Sequence, residues 1–390
     1  MRLDESAMPP PRIVFLADDL LLEILARVPY RSLCRFKAVS RSWRLTLCSH
    51  PALPCNTSPQ TLSGFFYLDH TQRNGESYRY GFINVAVDGC SAAASAVAGG
   101  GKPIIDPSHW LHLPGYTNVK FVDSCNGLLL LRCWRRPPMT GGIDYVVCNP
   151  ATEQHVVLPP RPDGRRGMFD QIRLGFDPAV SLHFRVFLLL RRSDYSCYEL
   201  KIYSSESKTW TYIQSEFRGR RAPPRPQQTV FFKGSLHLTT LLDNLVVAVD
   251  ADGRTWRKIH TPCRFSFVGH SQGYLYAVQQ RVMKLEIWFL EDYNGEHWEI
   301  KHAVDAAELL GKMQRVIGDV DSYTVVAFHP DRDVVFLYAG VLQHLVSYDM
   351  DSGELQWICT AGPKLAYSNV SPYLPYIPCY SEWRWLADGQ

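Results

Sequence analysis

The sequence predicts an α+β multidomain protein, a small three-helix head followed by an all-β propeller of about six blades. Three observations predict it. Residues 11–50 carry apolar side chains at helical spacing and few turn signals. From about residue 60 the apolar period falls to two, the signature of strands. One strand–turn–strand plan then recurs five times at about 45–60 residues, the repeat length of propeller blades. The expected domains are 11–50 and 60–386.

The head reads "LADDLLLEILARVPYRSLCRFKAVSRSWRLTLCSH". Asp18 and Asp19 open the first helix, where negative charge suits the helix dipole. Pro29 marks its end, because the residue before a proline avoids helical geometry. A second short helix is expected over Arg31 to Ala38 and a third from Ser40 to about Cys48, before Pro51. Asp19, Glu23 and Arg27 fall on one side of the first helix, while Leu20, Leu21, Leu22, Ile24, Leu25 and Val28 spread over the other. That apolar arc covers roughly 200°, about twice what a helix facing one core requires. A segment of about 40 residues is near the lower limit for folding alone. The surplus apolar surface therefore needs a cover, either the rest of this chain or a separate protein.

The body repeats an apolar strand, a polar turn and a strand opening near a tryptophan. The five segments are "DYVVCNPATEQHVVLP", "ELKIYSSESKTWTYI", "LVVAVDADGRTWRKI", "LEIWFLEDYNGEHWEI" and "LVSYDMDSGELQWI". Their turns are expected at Asn149-Pro150, Ser204-Ser205, Asp252-Gly253, Asn294-Gly295 and Ser352-Gly353, which supply positive φ or a preset proline φ. A turn followed by an apolar strand precedes most of them, in "CNGLLLLRCW", "FKGSLHLTT", "SQGYLYAV" and "DRDVVFLYAG". Each unit thus holds about four strands. A sixth, degenerate unit falls in residues 60–120, around "SGFFYLDH" and "YGFINVAV". A β-sandwich is the competing architecture, and the repeat period disfavours it.

Both parts resemble one protein family. Leu16, Asp18-Asp19, Ile24-Leu25, Val28-Pro29, Leu33, Val39-Ser40 and Trp43 match the F-box in order and spacing. The F-box is the helical module that docks onto the SKP-family adaptor of cullin–RING ubiquitin ligases. Ala17 stands where the family usually has proline, a loss of rigidity at the start of the adaptor contact. "SCNGLLLL", "CNPATEQHVVLP", "LGFDP", "YSSESKTW", "KGSLHL" and "PYIPC" resemble, in this order, the F-box-associated, kelch-like domain of plant F-box proteins. The resemblance implies a substrate-recognition subunit. Leu16, Leu20, Ile24, Leu25, Val28, Pro29, Leu33, Val39 and Trp43 would form the head, some facing the adaptor and others its own core. The propeller would present a target protein for ubiquitination, with no catalytic residue, cofactor or metal of its own.

Two other chemistries compete. Gly269-His270-Ser271-Gln272-Gly273 spells G-x-S-x-G, the nucleophile elbow of a serine hydrolase. An elbow needs a helix after the serine, and "GYLYAV" reads as strand. Its place in the unit matches that of "CNGLLLL" and "FKGSLHL", which carry no such serine. Arg218, Arg220, Arg221 and Arg225 alternate with prolines and suggest an RNA-binding loop, against which stands a solvated connection between blades. "AGGGKP" fails as a phosphate loop, with Ala96 in place of the first glycine and Pro103 in place of Ser or Thr. "SAAASAVAGGG" reads as a surface insertion. His155, His237 and His344 sit in strand contexts and read as structural histidines, and most of the repeating tryptophans as blade core.

Composition bounds the remainder. A hydrophobic fraction of 46% and a charged fraction of 20% in 390 residues suit a globular body with a real core. The net charge of +3 demands neither nucleic acid nor membrane. Eleven cysteines, an odd number without any C-x-x-C pair, argue against a disulfide framework and a zinc site. With no apolar run long enough for a signal peptide or a membrane span, a cytoplasmic or nuclear protein is expected. Asn56-Thr57-Ser58 and Asn369-Val370-Ser371 match the glycosylation pattern, which carries no meaning without secretion.

Overall fold

Short strands that are apolar on both faces, each followed by a turn residue, can bury those faces only if neighbouring sheets stack on them. The computed structural model of the chain shows that arrangement. It describes residues 61–69, 79–85, 113–136, 142–160, 171–191, 198–213, 229–239, 244–361, 373–379, 381 and 383. All belong to the second of two compact units, Gln60–Gln390.

In chain order, β1 (Gly64–Asp69) and β2 (Arg79–Asn84) come first. Blade 1 follows as β3 (Tyr116–Cys125), β4 (Leu128–Arg135), β5 (Ile143–Asn149) and β6 (Gln154–Val157). Blade 2 is β7 (Gln171–Gly175), β8 (Arg185–Arg191), β9 (Tyr198–Ser204) and β10 (Thr209–Ile213). Blade 3 is β11 (Thr229–Phe232), β12 (Ser235–Thr239), β13 (Leu245–Asp250) and β14 (Trp256–His260). Blade 4 is β15 (Phe267–Ser271), β16 (Tyr274–Gln280), β17 (Lys284–Asp292) and β18 (His297–Asp305). A helix, α1 (Ala306–Ile317), precedes blade 5, which is β19 (Tyr323–Phe328), β20 (Val334–Ala339), β21 (His344–Asp349) and β22 (Leu355–Thr360). The last strand, β23 (Tyr373–Tyr376), returns to pair with β1 and completes blade 6 in the order β2-β1-β23. Every other blade is an antiparallel four-stranded meander.

Packing closes the ring. Six apolar clusters are found among the described residues, one in each seam between neighbouring blades. The period of two assigns side chains to seams. In β4, Leu128 and Leu130 face blade 2, while Leu129, Leu131 and Cys133 face blade 6. In β8, Val186, Leu188 and Leu190 face blade 1, while Phe187 and Leu189 face blade 3. A continuous apolar run is what a strand buried on both faces requires. The expectation of five regular units and one degenerate one holds, and the degenerate one takes its inner strand from the far end of the chain.

The third-to-fourth-strand turns differ in detail from the sequence reading. Positive φ falls at Glu153, Lys208 and Glu296, rather than at Ser205 or Gly295 in the second and fourth blades, and at Gly253 and Gly353 as expected. The recurring device is the last residue of the third strand, whose side chain caps the turn. Asn149 accepts from Ala151 N–H at 3.1 Å, Ser204 from Ser207 at 3.4 Å and Asp250 from Arg254 at 2.8 Å. Asp292 accepts from Asn294 at 2.9 Å and Asp349 from Ser352 at 2.8 Å.

The helix α1 adds to the strands that the periodicity predicts. Asp305 caps it, accepting from Ala307 N–H at 2.8 Å and Glu308 N–H at 3.3 Å, and Gly318 ends it at φ 85°. Leu309 and Met313 enter the seam between blades 4 and 5, and Glu308 pairs with Lys312 at 2.9 Å on its outer side.

Candidate functional site

A six-bladed ring offers two ends and a central channel. The inner strands β3, β7, β11, β15, β19 and β23 line a channel cavity of about 160 Å³. We term the end at which these strands begin the upper end. Blade-to-blade connections and second-to-third-strand turns lie there; the remaining hairpin turns lie at the lower end.

Polar groups on the inner strands are held by neighbouring blades. Asp123 in β3 accepts from Leu174 N–H of blade 2 at 2.8 Å and from Ser124 N–H at 3.0 Å. Arg173 in β7 donates to Thr229 Oγ1 of blade 3 at 2.8 Å, to Ile172 O at 2.7 Å and to Gln171 Oε1 at 2.6 Å. Burial raises the Asp123 carboxyl above its usual range, opposed by the Arg173 charge, and lowers Arg173, opposed by Asp123. His270 stacks on Phe232 at 5.5 Å, and burial lowers it below the usual imidazole value. The Asp123 and Arg173 contacts staple three inner strands together.

Ser271 sits at the end of β15 and is 2% exposed. Its hydroxyl donates to the His329 carbonyl of blade 5 at 2.6 Å. Gln272 and Gly273 follow at φ 49° and 79°, a two-residue hairpin turn leading into β16. Asn126-Gly127 and Lys233-Gly234 make the same turn in blades 1 and 3. The G-x-S-x-G stretch is therefore strand, turn, strand, with its serine hydrogen committed to a structural carbonyl. It lacks the strand-to-helix geometry of an elbow.

Among the histidines, His237 is buried, with Nε2 2.8 Å from Tyr293 Oη of blade 4 and Nδ1 3.1 Å from Ser235 O. His344 Nδ1 lies 2.7 Å from Thr360 Oγ1, and His155 is exposed on β6. Two tryptophans link blades as well as filling them. Trp210 donates to Pro159 O at 3.1 Å and Trp298 to His260 O at 2.9 Å, each reaching the preceding blade. Trp357 departs from the expectation of a core residue, being 37% exposed. Glu291, His297 and Glu299 bring their ligand atoms within 4.8 Å of one another at the lower end of blade 4, all exposed. Their proximity is accounted for by hydrogen bonding, His297 Nδ1 lying 3.2 Å from Glu291 Oε2, with Glu299 at 3.8 Å.

The upper end carries a feature the sequence reading passed over. Val282 and Met283, in the turn from β16 to β17, are 92% and 69% exposed. Val341 and Leu342, in the equivalent turn of blade 5, are 71% and 47% exposed. The available signal was two consecutive apolar residues at each of two turn positions.

Outside the described residues lie all nine head positions from Leu16 to Trp43, the arginines at 218, 220, 221 and 225, the insertion "SAAASAVAGGG" with the glycine-rich "AGGGKP", and both acceptor asparagines.

Comparison with known families resolves the head. Residues 15–53 match the F-box domain, and residues 100–246 match the F-box associated beta propeller domain. This chain is a plant F-box protein. Similar relatives of this F-box protein come from Arabidopsis thaliana. F-box protein At5g07610 is 26% identical over 336 residues, covering 77% of this chain and 73% of its own. F-box protein At5g49610 is 25% identical, covering 80% and 86%. Putative F-box/kelch-repeat protein At1g15680 is 24% identical, covering 88% and 83%. The F-box domain implies binding to an SKP-family adaptor. Among the described residues, no helix is long and apolar enough to cross a membrane.

Proposed function

We propose that this F-box protein is the substrate-recognition subunit of an SKP–cullin–F-box ubiquitin ligase. The observation that carries the reading is the union, in one chain, of an F-box at residues 15–53 with a closed six-bladed ring. The head, over residues 11–50, docks on the adaptor through Leu16, Leu20, Ile24, Leu25, Val28, Pro29, Leu33, Val39 and Trp43, some of these packing the head's own core. The propeller, over residues 60–386, holds a target protein.

Catalysis by the complex is then a matter of proximity. Holding the target near a ubiquitin-loaded enzyme raises effective concentration without a nucleophile, base or cofactor from this chain. The commitment of Ser271, Asp123 and Arg173 to bonds between blades supports a non-catalytic role. A ligase subunit of this kind works in the cytoplasm or nucleus.

The test is co-purification with an SKP-family adaptor. Leu20→Asp with Ile24→Asp should abolish it while the propeller's thermal unfolding is unchanged. Undiminished adaptor binding by that double variant would refute the assignment of the head.

A further inference from the structure

The upper turns of blades 4 and 5 break the rules of their own local structure. Tight turns favour Gly, Asn, Asp and Ser. Here Val282-Met283 and Val341-Leu342 occupy those positions with their side chains largely exposed. The backbone does not need them: Arg281 and Lys284 close the first turn through their own N–H and C=O groups, at 2.8 and 3.4 Å, and Gln343 N–H closes the second on Gly340 O at 3.2 Å. Apolar residues kept where folding gains nothing mark a surface used for something else.

Charge around the two turns is uneven. Arg264, in the connection from β14 to β15, and Arg281 are both exposed, and neither forms an ion pair with a described residue. Both lie at the upper end of blade 4, Arg264 on the connection into β15 and Arg281 just past the end of β16, the strand paired with it, where Phe267 faces Val278. The nearby acids are committed elsewhere, Glu286 to Lys284 at 3.0 Å and Asp305 to the start of α1. On the blade 5 side the balance reverses. Gly340 N–H donates to Ser322 O, and Ser322 Oγ donates to Asp321 at 2.9 Å, so Asp321 sits beside the second turn, with Asp319 exposed next to it.

We propose that this surface docks an extended segment of the target protein with a matching pattern. Its apolar side chains cover Val282, Met283, Val341 and Leu342. Its acidic residues meet Arg264 and Arg281, and its basic residues meet Asp319 and Asp321. This deepens the substrate-receptor reading and rests on it. Burial of the apolar tips gives affinity, while the charge pattern fixes the direction of the segment.

The experiment immobilises the full chain with its adaptor and pans a random peptide library displayed on phage. Enriched peptides should combine apolar with acidic residues, and their binding should weaken as salt rises. Val282→Asp with Leu342→Asp should weaken them by about tenfold or more. Arg264→Glu with Arg281→Glu should turn the enriched acidic positions basic. These side chains are exposed, so unchanged thermal unfolding and adaptor co-purification serve as the folding control. Enriched peptides that bind both double variants as tightly as the parent, or no enrichment at all, overturn the docking surface. The ligase reading survives that outcome, because adaptor binding is scored separately; loss of adaptor binding by the parent chain would instead sink the ligase reading.

Discussion

Blades 4 and 6 occupy equivalent places in the ring and are built in opposite ways. Blade 4 is four consecutive strands joined by short connections, so each pairing forms between near neighbours in sequence. Blade 6 joins β1 and β2 to a strand from the other end of the chain, with Gly64 opposite Tyr376 and Tyr67 opposite Tyr373. Closing so long a loop costs entropy before any contact rewards it. The structure supplies the reward around β23. Tyr376 packs edge-on against Phe66 at 5.2 Å, and the tail beyond it lies on blade 1, where Asn149 donates to Cys379 O at 2.8 Å and Trp383 N–H donates to Gln154 at 2.8 Å. The contrast teaches that ring closure is concentrated in one seam while the other blades assemble locally.

The largest expected effect breaks that seam. Tyr376 is 1% exposed, and Tyr376→Ala should lower stability by about 3–5 kcal/mol in urea unfolding. Hydrogen exchange should accelerate first in β1 and β3, with β16 and β17 still protected. Equal acceleration in all four strands would remove the distinction between the closing seam and the local blades.

A seam between contiguous blades should answer to pH instead. Burial holds His237 at about 4, below its ordinary 6.5, against Tyr293 of the next blade. The unfolded chain therefore binds a proton between pH 6.5 and 4 that the folded chain refuses. Stability present above pH 6.5 should fall by about 3 kcal/mol as pH drops through that window. Thermal unfolding across pH 7 to 4 measures it, and His237→Phe should flatten the slope.

Two glycines sharpen the comparison further. Gly127 and Gly273 sit at the same position of the same turn, at φ 93° and 79°. A Cβ on Gly127 would come within 2.5 Å of the Cys379 backbone nitrogen, whereas one on Gly273 meets nothing within 4 Å. Both alanine variants carry the cost of left-handed geometry, about 1–2 kcal/mol. Gly127→Ala should exceed Gly273→Ala by about 1–3 kcal/mol in denaturant unfolding, because it also forces the closing tail off blade 1. The smallest effect is Ser271→Ala, which removes one bond between blades 4 and 5 and should cost about 1 kcal/mol. Neither the parent nor this variant should be labelled by a fluorophosphonate probe.

The strand segments were legible because a strand buried on both faces must be apolar throughout and most of these hairpins stop on a polar residue. "CNGLLLLRCW" and "LVVAVDADGRTW" say both things locally. The turn chemistry was only partly legible. The capping side chains of Asn149 and Asp349 are ordinary turn formers, but the positive φ at Glu153, Lys208 and Glu296 depends on loop length rather than residue type. The helix α1 had a readable start in Asp305-Ala306-Ala307-Glu308, a side-chain cap followed by an acid, masked by the strand period around it. The apolar turns of blades 4 and 5 were written in plain residues but fell between the readable strand segments, because a sequence does not say which apolar residues find a partner.

The sequence by itself determined what is local or periodic: the F-box pattern at residues 15–53, the five repeating units and the strand character of the stretch around Ser271. Only the tertiary structure decided which end of the chain supplies the sixth blade's inner strand, which polar groups are used up in joining blades, and which apolar side chains are left facing solvent. The reason is physical. Periodicity and turn chemistry act over a few residues and leave their mark in order along the chain, whereas closure and exposure depend on contacts between segments hundreds of residues apart.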